Sequence, residues 1–270
     1  TPNCSSAASD VYKRQSMNEL SLFQVIVLSL IQAFTEFLPI SSSAHLLLPN
    51  KLFGWPDQGL FFDIVVHLAT LLAVLIYFRH YFLKLDFYIS KTFFLLVLAT
   101  VPIVFIVLLF ESLGNTRWTL RTIALANIFF AVILLIADKV STQDKHIKKM
   151  SSFQALTIGF AQAFSIISGA SRSGTAISAA LILGFSRREA ARFALMLSIP
   201  TILGAVLFSI LDYRFLQEDI SILTTFNAFL VTFIASYFSI SIFLKLINTL
   251  GYTPFVIYRV LLGVLILCLI

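Results

Sequence analysis

Two stretches with a shared opening decide how this chain is read: residues 32–45 are QAFTEFLPISSSAH and residues 162–175 are QAFSIISGASRSGT. Each opens on an apolar helical pattern, breaks at a polar cluster and turns apolar again beyond it. The first break carries Glu36, Pro39, Ser41, Ser42, Ser43 and His45; the second carries Ser168, Gly169, Ser171, Arg172, Ser173, Gly174 and Thr175. The offset between them, 162 − 32 = 130 residues, also pairs Gln24 with Gln154, Ser41 with Ser171, Ser43 with Ser173 and Phe78 with Phe208. These identities are few, and their weight comes from the coincidence of the two breaks. Non-helical backbone at membrane depth persists only where protein or a wet cavity satisfies its polar groups. Each stretch therefore reads as a re-entrant helical hairpin.

The composition around the breaks is that of a membrane protein. The 270 residues are 59% hydrophobic and 12% charged, with a mean hydropathy of +0.96. Soluble domains carry roughly 25% charged residues, so a soluble globular enzyme is excluded, as are a disordered chain and a disulfide-stapled module. Cys4 and Cys268 sit far apart and offer neither a zinc site nor a disulfide framework. Spans of about 20 apolar residues are expected at 60–78, 92–111, 121–137, 191–211, 224–247 and 254–270. The expected fold is all-α: six transmembrane helices and two re-entrant hairpins in an inverted-topology repeat. One hairpin plus three spans makes an odd number of crossings, which inverts the second unit, as in known broken-helix membrane folds. Residues 17–270 form a single membrane domain, with repeats at about 17–140 and 150–270. Thr1 to Ser16 is polar and lacks an apolar h-region; it is expected to be a non-native, disordered leader rather than a signal peptide. The 28 Phe mostly face lipid and neighbouring helices, with a minority lining a groove for a lipid tail.

The basic residues orient the chain. With the N-terminus outside, one side holds Arg79, Lys84, Lys91, Lys139, Lys145, Lys148, Lys149, Arg187, Arg188, Arg192 and Lys245; the other holds Lys51, Arg117, Arg121 and Arg214. Eleven against four agrees with the positive-inside rule. The net charge of +6 thus belongs to cytoplasmic loops, and nucleic acid is not an expected partner. Arg172 and Arg259 are left over inside apolar segments.

Ionisable groups in apolar segments are costly and usually mark a functional cavity. Glu36 has no basic neighbour in sequence, and Arg172 is the cation of the second break. The bland alternatives are a hydrogen-bonded acid and a structural counter-ion. The sharper reading gathers an acid, hydroxyls, an imidazole and an arginine, a set suited to phosphate chemistry. Arg grips phosphate oxygens with a planar fork of donors. The run Ser171-Arg172-Ser173-Gly174-Thr175 adds hydroxyls, backbone N–H groups and a helix N-terminus, together an anion site. Gln32 and Glu36 share a helix face and could hold a divalent cation, which prefers oxygen ligands. Ser42 and His45 lie three apart, where a hydroxyl nucleophile and a general base or acid could meet. Ser41 and Ser43 read first as helix caps, with a role as phosphate ligands the sharper alternative. Asp63 and His67, one turn apart, read first as interhelical hydrogen-bonding groups. For both breaks to grip one diphosphate they must lie within about 12 Å, given hydrogen-bond reach of about 3 Å on each side.

These residues carry a family resemblance. Glu36-Phe-Leu-Pro-Ile-Ser-Ser-Ser-Ala-His45, preceded by Gln32, resembles the (E/Q)xxxE-FLP-xSSxxH motif of the bacterial undecaprenyl-pyrophosphate phosphatases of the bacitracin-resistance type. Residues 168–174 resemble that family's PGxSRSGxT motif. The likeness continues in Phe62-Asp63 with His67, in residues 186–193 through Ile199-Pro200, and in Pro254-Phe-x-x-Tyr258-Arg259, spanning roughly residues 18–270. Ser168 stands where the motif has Pro, Ala44 where Gly is common, and Ala176 where Thr is expected, with Thr175 one place early.

The resemblance implies hydrolysis of a C55 polyisoprenyl diphosphate to the monophosphate and inorganic phosphate, aided by Mg²⁺ or Ca²⁺. This recycles the lipid carrier for cell-wall synthesis and confers bacitracin resistance. It implies a multi-pass protein of the bacterial inner membrane with its site opening to the extracytoplasmic face. Glu36 with Gln32 would hold the metal or position the attacking group. Ser42 would be nucleophile or phosphate ligand, with His45 as acid/base partner. Arg172, Ser171 and Ser173 would clamp the diphosphate. The expected partners are that lipid and the bilayer, and a homodimer is the assembly considered. A transporter or flippase for a polyprenyl phosphate is the alternative on the same scaffold.

Overall fold

The computed structural model describes residues 20–109, 118–210 and 221–270. The expected leader, Arg117, Arg214 and the far ends of the spans expected at 92–111 and 191–211 lie outside the described residues. The described chain has no strand, only an isolated bridge between Lys145 and Phe185. Its longer helices are α1 (Leu22–Thr35), α2 (Ser42–Phe53), α3 (Gly59–Tyr77), α4 (Lys91–Leu109), α5 (Leu120–Val140), α6 (Ser152–Ala163), α7 (Arg172–Ile182), α8 (Arg187–Ile210), α9 (Ile222–Leu250) and α10 (Thr253–Leu269). Two one-turn helices, Arg79–Phe82 and Leu85–Tyr88, join α3 to α4.

Helices α1–α2 and α6–α7 are the two helix–break–helix units, and the two units start in the same way. At the head of α1, Ser21 Oγ accepts the Gln24 N–H (3.3 Å) while Gln24 Oε1 accepts the Ser21 N–H (2.8 Å). Ser151 and Gln154 make the same reciprocal cap at α6, at 3.2 and 2.9 Å. Such a box satisfies two of the N–H groups that a helix start leaves orphaned. Beyond the breaks, α2 and α7 restart from serines in left-handed backbone, Ser41 at φ 73° and Ser171 at φ 71°. For a residue with a Cβ that conformation costs about 1–3 kcal/mol and persists only when its surroundings hold it.

Among the described residues five helices, α3, α4, α5, α8 and α9, are long and apolar enough to cross a membrane. The sixth expected span, α10, has 17 residues, about 26 Å at 1.5 Å per residue against a hydrocarbon core of about 30 Å. Gly251, with φ 64°, and Pro254 in the first turn set where it starts. The helices carry exposed aromatic side chains on their outer faces, among them Phe94, Phe105, Phe129, Phe226 and Phe238. This is a multi-pass membrane protein.

The packing interleaves the two halves. Helix α1 lies on α9 as α6 lies on α4, while α3 pairs with α8 and α5 with α10. Gly159 lets α6 approach α4 closely, since a Cβ there would lie 2.3 Å from the Ala99 carbonyl oxygen. Small residues at such crossings are how membrane helices gain contact. One apolar cluster includes Phe37, Leu95, Ile158, Ile177 and Leu197; a second, around α1, includes Val25, Leu28, Leu46 and Phe62. At one end of the bundle Arg187 grips Asp138 through two bonds of 2.6 and 3.0 Å. There the Tyr252 hydroxyl donates to the Arg187 carbonyl, and Arg192 reaches Tyr81.

Candidate active site

The breaks meet inside the protein. Arg172, first residue of α7, donates from Nη2 to Glu36 Oε1 at 2.9 Å, and Ser173 Oγ donates to the Leu38 carbonyl at 2.8 Å. Both distances fall far inside the 12 Å that a shared diphosphate site allows. Glu36 is the hub, buried in the gap after α1. Its second oxygen accepts the Ser42 hydroxyl at 2.7 Å and Gln32 Nε2 at 3.2 Å. His67 Nε2, on α3, stands 3.8 Å from that oxygen. Arg172 also donates to the Ala194 carbonyl of α8 at 3.3 Å, so its fork is fixed from two sides.

A cavity of about 250 Å³ opens on this group, lined on its polar side by Glu36, Ser41, Ser42, Ser43, His67, Ser171 and Arg172. Ile103, Ile166, Ile202 and Ala205 line its apolar side. A second cavity of about 200 Å³ shares Ser42, Ser43 and His67 with the first and continues to Gln58 and Asp63. The walls therefore combine a guanidinium, a carboxylate and hydroxyls with an apolar flank, which suits a phosphate group attached to something greasy.

Other expected site residues stand elsewhere. His45 turns away from Ser42: its Nδ1 donates to the Ser41 carbonyl at 2.7 Å, which leaves Nε2 to accept the Tyr258 hydroxyl at 2.6 Å. Its ring stacks on Tyr258 at 5.5 Å. The imidazole facing the carboxylate is that of His67, whose Nδ1 is spent on the Asp63 carbonyl at 2.6 Å. Ser171 caps Gly174 N–H at 3.1 Å, and Ser171 and Ser173 share a hydroxyl contact of 3.2 Å. Thr175 bonds back to the Arg172 carbonyl at 3.0 Å and does not line either cavity, while Ala176 is packed in the core.

The sequence of the bacitracin resistance protein family BacA matches residues 25–265 of the chain. The chain belongs to that family. BacA proteins are the undecaprenyl-pyrophosphate phosphatase family, and the match runs across both breaks and every long helix save the first residues of α1 and the last of α10. The resemblance carried by the motifs is thereby a membership.

Two groups central to this region were singled out weakly or not at all by sequence. By its spacing His67 reads as an interhelical hydrogen-bonding group, since nothing there says that α3 turns it toward Glu36. Asn127 is the second. Its only signal is an amide inside an apolar span, yet it is fully buried and bonded to Arg259.

Proposed function

We propose that the protein hydrolyses a polyisoprenyl diphosphate to the monophosphate and inorganic phosphate. The observation that carries the reading is the carboxylate of Glu36, which accepts the Ser42 hydroxyl while paired with an arginine from the other break. As Ser42 Oγ bonds to the terminal phosphorus, Glu36 takes the hydroxyl proton. The bond from that phosphorus to the bridging oxygen breaks, and the lipid monophosphate leaves with the bridging oxygen. Water then cleaves the phosphoserine and restores the hydroxyl. Arg172 supplies the bidentate fork for phosphoryl oxygens, and the N-terminus of α7 adds a positive dipole end. Phosphoryl transfer depends mostly on such positioning and charge. His45 serves in this reading by holding the carbonyl of left-handed Ser41, which keeps the adjacent Ser42 aimed.

A divalent cation, Mg²⁺ or Ca²⁺, belongs to the proposal. Among the described residues no three His, Cys, Asp or Glu side chains converge. Gln32 Oε1 is buried beside Glu36 without a hydrogen-bond partner among the described residues. One carboxylate and one amide oxygen fit an ion whose remaining ligands are phosphate oxygens and water, the usual arrangement for Mg²⁺. Such an ion would offset charge on the phosphoryl oxygens.

The proposal extends to placement. The chain is oriented with its N-terminus outside in a bacterial inner membrane, the first unit re-entrant from the extracytoplasmic face and the second from the cytoplasm. The two form inverted repeats, and α10 completes the sixth crossing. The eleven basic residues on the cytoplasmic side support this. The decisive assay is phosphate release from a polyprenyl diphosphate by purified protein in detergent, with and without chelator. Wild type should turn over, chelator should suppress it, and Arg172→Ala or Glu36→Ala should abolish it. Lipid translocation in proteoliposomes with no phosphate release would replace the phosphatase with a flippase.

A further inference from the structure

Arg259 is the largest wholly buried side chain of the described residues, and it makes no ion pair with any of them. Its Nε donates to Asn127 Oδ1 at 2.8 Å, Nη1 to the Pro39 carbonyl at 3.2 Å, and Nη2 to the carbonyls of Gly169 and Ala170 at 2.8 and 3.0 Å. Asn127 Nδ2 returns a bond to the Arg259 carbonyl at 3.1 Å. Pro39 belongs to the first break, Gly169 and Ala170 to the second. One planar fork therefore ties together the carbonyls that both breaks leave without helical partners.

Carbonyls satisfy the donors but do not cancel the charge. Burying a cation without a counter-ion is expensive, and where such groups survive inside a membrane protein they usually serve a function. The position of Arg259 is telling. A Cβ on Gly174, in the first turn of α7, would meet Arg259 Nη1 at 2.9 Å, so the guanidinium sits directly behind the helix start that Arg172 opens. Among the described residues the junction of the breaks thus holds two guanidinium groups, Arg172 and Arg259, against one carboxylate, Glu36, with Asp63 lining the adjoining cavity.

We infer that Arg259 is a positioning residue for an anionic phosphate ligand: it fixes the two breaks to one another and leaves their junction one positive charge in excess, which the ligand neutralises. The inference rests on the diphosphate reading of the site and adds where part of the attraction comes from. A purely structural staple would need the fork and not the charge.

Asn127→Asp separates the two. The carboxylate keeps the shape of the amide and still accepts from Arg259 Nε, now as a charge-assisted bond; it loses the Nδ2 bond to the Arg259 carbonyl and cancels the excess charge. The probe is inorganic pyrophosphate, with binding read by titration calorimetry and by protection against thermal unfolding, so that no turnover is required. A unit charge acting over several ångströms at an effective dielectric of about 20 is enough for a tenfold change in affinity. N127D should therefore stay folded and bind pyrophosphate at least about tenfold more weakly, with KM for a polyprenyl diphosphate raised in parallel and kcat changed much less. Folded N127D with wild-type pyrophosphate affinity would overturn the inference. A second pair covers the case in which N127D does not fold. Arg259→Lys keeps the charge and loses the fork, so its affinity should stay within about threefold of wild type while kcat falls. Arg259→Gln should lose both. Equal weakening in the two variants would also overturn it. Wild type that binds pyrophosphate but releases no phosphate from the lipid would remove the phosphatase reading and leave this one standing.

Discussion

At the scale of single residues, Glu36 and Arg172 form the closest ion pair of the junction among the described residues, with His67 3.8 Å from the same carboxylate. Removing one partner of a buried pair strands the other and typically costs about 3–5 kcal/mol, whereas removing both is far milder. Arg172→Ala and Glu36→Ala are each expected to lower stability by that amount in detergent. The double variant should lose clearly less than the sum of the two. Thermal unfolding of all four proteins measures the coupling, and strictly additive losses would show that the pair does not carry the junction. These two residues were legible in the sequence because a charge in an apolar stretch has few excuses. His45 and His67 were not legible in the same way. Which imidazole faces the carboxylate depends on how α2 and α3 are rotated, and that is set by Tyr258 and by the packing of α3 on α8 and α9, all distant in sequence. Ser42→Ala tests the proposed nucleophile. A loss of phosphate release on the order of 10³-fold or more is expected, as for nucleophiles that act within a unit. Loss of a phosphoserine trapped in acid-quenched wild type should accompany it.

At the scale of helices, both broken units were readable because each break announces itself by Pro or Gly and a serine cluster. The reach of α10 was not. Its apolar run looked long enough to span, and only the turn at Gly251 and the proline in its first turn show where the helix starts. Helix contacts also escape a one-dimensional reading, and two glycines make opposite cases. Gly159 has no room for a Cβ against the Ala99 carbonyl, while a Cβ on Gly204 of α8 would meet nothing within 4 Å. Gly159→Ala should wedge α6 from α4 and destabilise by about 1–3 kcal/mol, the usual cost of overpacking. Gly204→Ala should be neutral or stabilising by about 0.5–1 kcal/mol through helix propensity. Melting of the two variants side by side would show opposite signs; a shared sign would mean that this crossing is looser than the geometry requires.

For the whole molecule, charge and hydrogen bonding converge on one end of the bundle. The Arg187–Asp138 grip, the Arg192–Tyr81 contact and the Ile147 N–H donated to Glu189 at 3.0 Å draw the loop after α3, the end of α5 and the start of α8 together. With Cys4 and Cys268 replaced by serine, single cysteines at Lys84 and Lys148 should react with a membrane-impermeant maleimide only from the cytoplasmic side, and one at Lys51 only from outside. Labelling of all three from the same side would refute the orientation. The interleaved halves carry one more implication. At the 130-residue offset, Glu36 corresponds to Ile166 and Arg172 to Ser42, so the acid stands in one half and the cation in the other. A dimer of two first halves would set carboxylate against carboxylate, and a dimer of two second halves would set guanidinium against guanidinium. On the proposed inverted repeat, neither half supplies both members of the acid–guanidinium pair, so neither can rebuild the site by pairing with its own copy.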